Sequence, residues 1–152
     1  MKTKTKIQRS IKTRSKILQA SRQLQSSGKF NICTDFGLGI QNEIKPRQRT
    51  RKIKEGKKRL LDAEEQFEAV CEWLGSIKTT EKINTANSSY YLKHLAENRQ
   101  GVGHISNGSF ICAAVYCGFR YKKASGPNLV FNMSNESIHE AYLESLNYQK
   151  YP

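Results

Sequence analysis

Residues 107–133, NGSFICAAVYCGFRYKKASGPNLVFNM, join an almost wholly apolar segment to a pattern that is typical of a β-hairpin. Ser106 or Asn107 can cap a helix over 107–117, and since that helix is apolar on nearly every side, we expect it to be buried. Aromatic and basic residues then alternate, a Gly-Pro turn follows, and the run LVFNM returns, which together predict a hairpin over 119–133. The stretch therefore predicts a buried helix followed by a hairpin.

The clearest amphipathic helix of the chain lies before this stretch. In LLDAEEQFEAVCEWLGSIK (60–78) the apolar residues recur at helical spacing, and the acidic residues lie on the other side, where we expect a solvated face. Gly75 is the predicted end of this helix. A loop is predicted at the Thr/Asn/Ser cluster 84–89, and further helices are predicted over about 89–98 and 135–147.

The predicted fold class is α+β and mostly helical. We expect a compact helical domain over 57–152 with its hairpin at 119–133, and a basic N-terminal arm over 1–56 that docks through a short segment near 29–40. The order of three helices and a hairpin resembles that of a winged helix, in which 107–117 would be the recognition helix. That helix offers Phe, Ile, Cys, Ala and Val, however, and not the Arg, Asn, Gln or Ser that read base edges.

The N-terminal arm is predicted to be partly disordered or helical. Residues 1–8 are polar and basic and are expected to be disordered. A helix is predicted over about 11–25, and because its apolar stripe is thin, we expect it to fold on binding a partner. The predicted stripe consists of Ile11, Ile17, Leu18 and Leu24.

The positive charge of the chain lies almost entirely in its first 60 residues. The 152 residues include 26 Lys+Arg and 13 Asp+Glu, for a net charge of +13. Residues 1–60 hold 18 basic and 3 acidic residues, whereas residues 61–152 hold 8 and 10. Because this density of positive charge opposes compaction unless a polyanion relieves it, the sequence predicts an anionic partner.

The predicted anion-binding residues lie in the arm and on the hairpin. The segment KPRQRTRKIKEGKKR (45–59) carries nine basic residues and one acidic residue. A helix is predicted to begin near Thr50 and to continue as the amphipathic helix that ends at Gly75. Such side chains suit phosphate contact, since each neutralised phosphate releases counterions and arginine binds phosphate with two parallel hydrogen bonds. The predicted nucleic-acid-binding residues are Arg9, Lys12, Arg14, Lys16, Lys45, Arg47, Arg49, Arg51, Lys52, Lys54, Lys57, Lys58, Arg59, Arg120, Lys122 and Lys123.

We therefore predict a non-catalytic accessory protein that binds the phosphate backbone of DNA or RNA. Two alternatives stay open. The first is a protein-interaction or inhibitor factor that docks on an acidic surface of a host or partner protein. The second is a component of a ribonucleoprotein. The sequence does not distinguish DNA from RNA and leaves the oligomeric state open.

Catalytic, metal and membrane classes have little support in the sequence. The three histidines lie in unrelated segments, and the four cysteines include no CxxC pair, so we expect no metal, no cofactor and no enzymatic activity. Cys71, Cys112 and Cys117 have apolar neighbours, and Cys112 and Cys117 are expected to be buried. No apolar run approaches the ~20 residues that span a bilayer, and the basic N-terminus lacks the apolar stretch of a secretory signal. We expect no membrane partner and a reducing, cytoplasmic location.

Three segments of the chain carry a resemblance to a known group of proteins. INTANSSYYLKHLAE (83–97), GHISNGSFICAAVYCGF (103–119) and GPNLVFNMS (126–134) resemble small uncharacterised accessory proteins of bacterial plasmids and other mobile elements. This chain has Tyr91 where the group has glycine, and His104 where it has an aromatic residue. The resemblance implies a bacterial or phage accessory protein, and it brings no active site with it.

Overall fold

The computed structural model describes residues 2–28, 32–41 and 45–150, which form six α-helices and five β-strands. The helices are α1 (Lys2–Ser27), α2 (Arg49–Asp62), α3 (Glu64–Leu74), α4 (Ser89–Gln100), α5 (Asn107–Tyr116) and α6 (Asn135–Lys150). The strands are β1 (Cys33–Thr34), β2 (Gly37–Leu38), β3 (Thr79–Ser88), β4 (Tyr121–Lys123) and β5 (Leu129–Met133), and a 3-10 turn (Pro46–Gln48) leads into α2. The protein is thus a mostly helical α+β protein, as its sequence predicts.

The core of the fold is built around α5. This helix is buried from Asn107 to Val115, as predicted, and α1, α3 and α4 pack around it. Phe110 packs against Trp73 of α3 and Phe131 of β5, with ring centroids 5.9 and 6.0 Å apart. Because aromatic side chains bury large apolar areas, these three rings hold α3, α5 and the sheet together.

A short hairpin formed by β1 and β2 crosses the beginning of α5. The backbone N–H of Gly108 donates to the carbonyl oxygen of Asp35 at 3.1 Å. A Cβ atom at position 108 would lie 1.8 Å from the carbonyl oxygen of Thr34, so this close approach requires glycine. The segment near 29–40 that was expected to dock thus contacts the core through this hairpin, and its residues 29–31 lie outside the described part of the chain.

The hairpin predicted at 119–133 is present as β4 and β5, and a third strand joins it. The sheet order is β3-β5-β4, with both pairings antiparallel. The prediction of a loop at 84–89 is wrong, because β3 runs from Thr79 to Ser88. This strand is polar and mostly exposed, so it lacks the apolar alternation that marks a strand in a sequence.

The elements from α3 to β5 follow one another in the order of a winged helix. A helix, a strand, two helices and a hairpin succeed each other, and the first strand pairs with the last. In that arrangement α5 would be the recognition helix. Here α1 and the β1–β2 hairpin pack on α5, which is buried, so α5 cannot enter a groove of DNA while they are in place.

The first helix is longer and more deeply buried than its sequence predicts. α1 is continuous over Lys2–Ser27, which differs from the disorder expected over 1–8 and the helix expected over 11–25. Its buried side consists of Thr13, Ile17, Ala20 and Leu24. Ile11 and Leu18, which were predicted for the apolar stripe, are exposed. The true stripe includes small side chains, and these let α1 lie close to its neighbours.

Two helices replace the single helix that was predicted from Thr50 to Gly75. Ala63 interrupts it with φ −88° and ψ 43°, outside the helical region, although no glycine or proline marks this position. Both predicted ends are confirmed, since α2 begins at Arg49 and Gly75 caps the C-terminal end of α3. The break leaves α2 against the β1–β2 hairpin, where a Cβ at Gly56 would lie 2.8 Å from the Cβ of Thr34.

Packing in the core does not divide near residue 56. Ile17 and Leu24 of α1 and Leu38 of β2 belong to the same buried cluster as the apolar side chains of α3, α4 and α5. The expected arm over 1–56 and the expected domain over 57–152 therefore share one core. Although α1 is long, it is polar, and within the described ranges no helix is both long and apolar enough to cross a membrane.

Candidate nucleic-acid interface

The second helix and the turn before it present a group of exposed positive charges. The buried residues of α2 are Gly56 and Leu60, so most of its basic side chains reach solvent. Five exposed basic residues have no acidic partner within 4 Å in the part of the chain that the structure describes. These five residues, called the α2 cations below, are Lys45, Arg47, Arg49, Lys54 and Lys57.

Three other basic residues of α2 form ion pairs along the same helix. Arg51 Nε and Lys52 Nζ lie 3.6 and 3.7 Å from the carboxylate oxygens of Glu55, and Lys58 Nζ lies 3.3 Å from Asp62 Oδ2. Pairs of this kind between exposed side chains stabilise a helix by about 0.5 kcal/mol or less. A phosphate can therefore displace these carboxylates with little loss of stability.

Two predicted residues of α1 are bound to acidic residues of the neighbouring helices. Arg9 Nη2 lies 2.7 Å from Glu68 Oε2. Arg14 Nε lies 3.2 Å from Glu64 Oε1, and Arg14 also pairs with the last residue of α2. These contacts join α1 to α2 and α3, so both arginines have a structural role in addition to their charge.

Glu68 is the acidic residue most closely engaged by α1. Thr13, which is buried, donates a hydrogen bond to Glu68 Oε1 at 2.7 Å, beside the two hydrogen bonds from Arg9. Burial by itself would raise the pKa of Glu68, but these hydrogen bonds and the charges of Arg9 and Lys16 lower it overall. The ionised form of this carboxylate therefore stabilises the packing of α1 against α3.

The acidic side of α3 is thus only in part the solvated face that was predicted. Glu65 and Glu72 are exposed, as expected. Glu64 and Glu68 bind α1, and the prediction is wrong for these two residues. Their partners lie 50 or more residues away in the sequence, which no local pattern can show.

The other two predicted residues of α1 differ in their exposure. Lys12 is exposed. Lys16 is half-buried, and its Nζ lies 5.3 Å from the ring centroid of Tyr116, in a cation–π contact. Only part of the charge of Lys16 is therefore presented to solvent.

The three predicted basic residues of the hairpin differ in whether they are bound within the protein. Arg120 donates hydrogen bonds to the carbonyl oxygens of Thr80, at 3.4 Å, and Glu81, and so holds the hairpin to β3. Lys122 and Lys123 are exposed on β4 and line a shallow depression with the end of β3. These two lysines extend the basic surface at a place separate from α2.

A cleft of about 780 Å³ lies between α2 and the loop of the β4–β5 hairpin. Lys52 and Arg59 line it from α2, and Pro127 and Asn128 line it from the loop. Arg59 Nε donates to Asp35 Oδ2 at 2.7 Å, and this hydrogen bond, with the charge of the carboxylate, raises the pKa of Arg59. The cleft thus carries positive charge from α2 that a neighbouring carboxylate partly balances.

A buried ion pair lies at the wall of this cleft. Lys93 is 4% exposed, and its Nζ lies 3.1 Å from Glu97 Oε1. Glu97 also accepts a hydrogen bond from the N–H of Ile105 at 2.8 Å and lies 3.3 Å from His104 Nδ1. Burial would raise the pKa of Glu97, but the Ile105 N–H, Lys93 and His94 lower it overall. Glu97 therefore remains ionised, and its hydrogen bond from Ile105 fixes the loop between α4 and α5.

The four cysteines form two close pairs that the sequence did not reveal. The Sγ atoms of Cys33 and Cys112 lie 3.6 Å apart in the core, and those of Cys71 and Cys117 lie 3.7 Å apart near the surface. Cys117 is exposed, so the prediction that it is buried is wrong, because it lies just beyond the last buried turn of α5. No group of three or more side chains suited to hold a metal ion occurs among the described residues.

No protein-family model, curated protein or solved structure matches this chain. The class of protein is therefore defined by the fold and the surface alone. It is a mostly helical α+β protein in which an exposed cationic helix, α2, lies against a core centred on α5.

Proposed function

We propose that this protein is a non-catalytic nucleic-acid-binding accessory protein that contacts the phosphates of DNA or RNA through α2 and the turn before it. The observation that carries the proposal is the group of α2 cations, which are exposed and have no acidic partner among the described residues. A cation that is already paired must break that pair to bind phosphate. The α2 cations bind phosphate without this loss and release the counterions of the nucleic acid.

The dimensions of α2 support phosphate contact along one strand. From Arg49 to Lys58 the helix rises by about 14 Å, at about 1.5 Å a residue. A strand of duplex DNA carries about four phosphates over that length, at about 3.4 Å each along the axis. The number of basic residues on this part of α2 thus suits the charge density of a nucleic acid.

The burial of α5 supports binding with little sequence preference. Base readout requires polar side chains that reach base edges in a groove. α5 is apolar and covered by α1 and the β1–β2 hairpin, and the exposed basic residues of α2 are of the kind that bind the backbone. We therefore expect affinities that vary little between sequences and strongly with salt.

The test is a fluorescence-anisotropy titration of the full chain on labelled duplex DNA, single-stranded DNA and RNA over about 0.05 to 0.2 M salt. The full chain is needed because α1 contributes Ile17 and Leu24 to the core, so removal of residues 1–56 would disrupt folding. Five phosphate contacts predict a log–log salt slope of about −4.5 on duplex DNA and about −3.5 on single strands. Affinity on duplex DNA should then fall by roughly two to three orders of magnitude over this range.

Two results would overturn the proposal. One is the absence of binding to all three nucleic acids at about 0.05 M salt. The other is binding with a slope near zero, which phosphate contact cannot produce. In either case an acidic protein surface becomes the better partner for the α2 cations, and a pull-down with the full chain would be the next step.

The proposal includes the bacterial cytoplasm as the place of action. Its support is the resemblance over 83–134 to accessory proteins of mobile elements and the presence of four free cysteines. Nucleic acid is abundant in that compartment. Fractionation of cells that carry the gene, with and without nuclease, would test it: the protein should move with nucleic acid until the nuclease is added.

A further inference from the structure

Cys71 and Cys117 form a pair of thiols whose surroundings differ from those of the other cysteine pair. Cys71 lies on α3 and Cys117 follows the last residue of α5, and their Sγ atoms are 3.7 Å apart. Cys117 is exposed and Cys71 is half-buried. Cys33 and Cys112 are as close, at 3.6 Å, but both are at most 1% exposed.

We propose that Cys71 and Cys117 are an oxidation site, at which a hydroperoxide converts the two thiols into an intramolecular disulfide that links α3 to α5. The proposal does not depend on the function proposed above. It rests on the proximity of the two sulfur atoms, on the exposure of one of them and on the side chains around them. Bond formation requires the sulfur atoms to approach from 3.7 Å to about 2.05 Å, which side-chain rotation at a helix surface can supply.

The two sulfur atoms are suited to different steps of this reaction. The hydrogen bond with Cys71 and the charge of Lys16 outweigh burial and lower the pKa of Cys117 to about 7, so a large fraction is thiolate near neutral pH. The same hydrogen bond, burial and the charge of Cys117 raise the pKa of Cys71, which stays a thiol. An exposed thiolate beside a protected thiol is the arrangement of an attacking and a resolving cysteine.

The first step oxidises Cys117. Its thiolate attacks one oxygen of hydrogen peroxide, the O–O bond breaks, and hydroxide leaves and takes a proton to become water. The product is a sulfenic acid on Cys117. The sulfur of Cys117 is then no longer a thiolate, so its charge no longer raises the pKa of Cys71.

The second step closes the disulfide. The sulfur of Cys71 loses its proton and attacks the sulfenic sulfur of Cys117, the S–O bond breaks, and the departing hydroxide is protonated to a second water. Two thiols have then lost two electrons and two protons, and one molecule of hydrogen peroxide has become two waters. Reduction by an exchanging dithiol would restore the pair.

The core pair provides the internal comparison. Cys33 and Cys112 are shielded on all sides, and the hydrogen bond with Cys33, together with burial, raises the pKa of Cys112 far above its ordinary value. Because both sulfur atoms are buried, peroxide has no access to either of them. If the distance between sulfur atoms alone decided reactivity, both pairs would form disulfides. The proposal requires that only the pair of Cys71 and Cys117 does so.

The experiment treats the reduced full chain with one equivalent of hydrogen peroxide, alkylates the remaining thiols after denaturation, and maps the linked peptides by mass spectrometry. We expect the loss of two hydrogen atoms, a crosslink between Cys71 and Cys117, and alkylation of Cys33 and Cys112. A crosslink between Cys33 and Cys112, a predominantly intermolecular disulfide, or four thiols that still alkylate would overturn the proposal.

Single substitutions separate the two steps. Cys117→Ser should slow peroxide consumption at least tenfold, and since this side chain is exposed, the fold should be retained in circular dichroism. Cys71→Ser should leave a sulfenic acid on Cys117, which a cyclic 1,3-dione probe labels. Cys112→Ala is the matched control and should leave the rate within about twofold. An unchanged rate in Cys117→Ser, or no dione labelling in Cys71→Ser, contradicts the assignment of the steps.

Discussion

α1 and α2 are both strongly basic helices, yet they use their charges differently. α1 has eight basic residues and no acidic residue, and it buries a stripe in the core while two of its arginines are bound to α3 and to the end of α2. α2 has seven basic residues and two acidic residues, and it buries only Gly56 and Leu60. The comparison teaches that charge density does not by itself locate a binding surface. Distant carboxylates decide which cations remain available.

The largest expected effect is a loss of stability when a core side chain of α1 is truncated. Ile17→Ala in α1 should lower the free energy of unfolding by about 3 kcal/mol, because it leaves a cavity beside α5. Urea denaturation measures this loss. Leu18→Ala, on the exposed side of the same helix, is the control and should change stability by about 0.5 kcal/mol or less. Equal losses of unfolding free energy in the two variants would mean that α1 does not pack on the core through Ile17.

The next largest expected effect is a loss of affinity for nucleic acid when two of the α2 cations are replaced. The double substitution Lys54→Gln and Lys57→Gln should weaken binding to duplex DNA by roughly 10- to 50-fold near 0.1 M salt and reduce the salt slope by about 2. Stability should be unchanged, since neither lysine has an acidic partner among the described residues. Anisotropy titration gives both quantities.

The control for this double variant removes the same charge elsewhere. Lys78 and Lys82 are exposed at the start of β3, outside the proposed interface. Their replacement by glutamine should change the affinity by less than about threefold, because only the long-range field is altered. Similar losses in the two double variants would show that net charge, and not α2, governs binding.

A smaller effect tests the contact between α1 and α3. Glu68→Gln should cost about 1 kcal/mol at neutral pH, because hydrogen bonds to the charged carboxylate are weakened. The folded-state pKa of Glu68 lies below its ordinary value of 4.5, so the stability from the ionised form is present above that pH and is lost as pH falls through the lower value.

The difference between wild type and Glu68→Gln should therefore shrink as pH falls below about 4.5. Thermal unfolding between pH 7 and pH 3 measures it. Glu72→Gln, at an exposed position of the same helix, should show no comparable pH-dependent difference. A difference for Glu68→Gln that stays constant across this range would contradict the role of its ionised form.

The smallest effect concerns a pair within α2. Lys58→Gln should lower stability by about 0.5 kcal/mol or less, since its pair with Asp62 is exposed and local. Arg14→Gln, which breaks contacts between helices, should cost more in the same urea experiment. A larger loss of stability in Lys58→Gln than in Arg14→Gln would contradict the view that the ion pairs of α1 are structural and those within α2 are not.

The parts of the fold that the sequence predicts are those with local signals. The caps and apolar patterns before α4, α5 and α6 define these helices within a few residues, and the Gly-Pro turn defines the hairpin. β3 was missed because its residues are polar and are held in a strand by pairing with β5. The paired residues of β5 lie more than 40 positions later in the sequence. The break at Ala63 was missed because no glycine or proline marks this position in the sequence.

The same limit applies to the candidate site. The excess of charge in the first 60 residues is plain in the sequence, but the pairing of Arg9 with Glu68 spans 59 residues and that of Arg59 with Asp35 spans 24. Local spacing cannot show either pair. The burial of Lys93 was hidden for a related reason, since its helix alone does not reveal the loop at Ile105 that closes over Glu97.

The packing of α1 on α5 also governs the order in which the chain can fold during synthesis. Ile17 reaches its place in the core only when α5, which begins 90 residues later, has left the ribosome. Until then the first helix has no partner for its apolar stripe, and contacts of such long sequence separation form slowly. Its eight positive charges repel like charges on neighbouring chains during that interval, which opposes association through the uncovered apolar stripe.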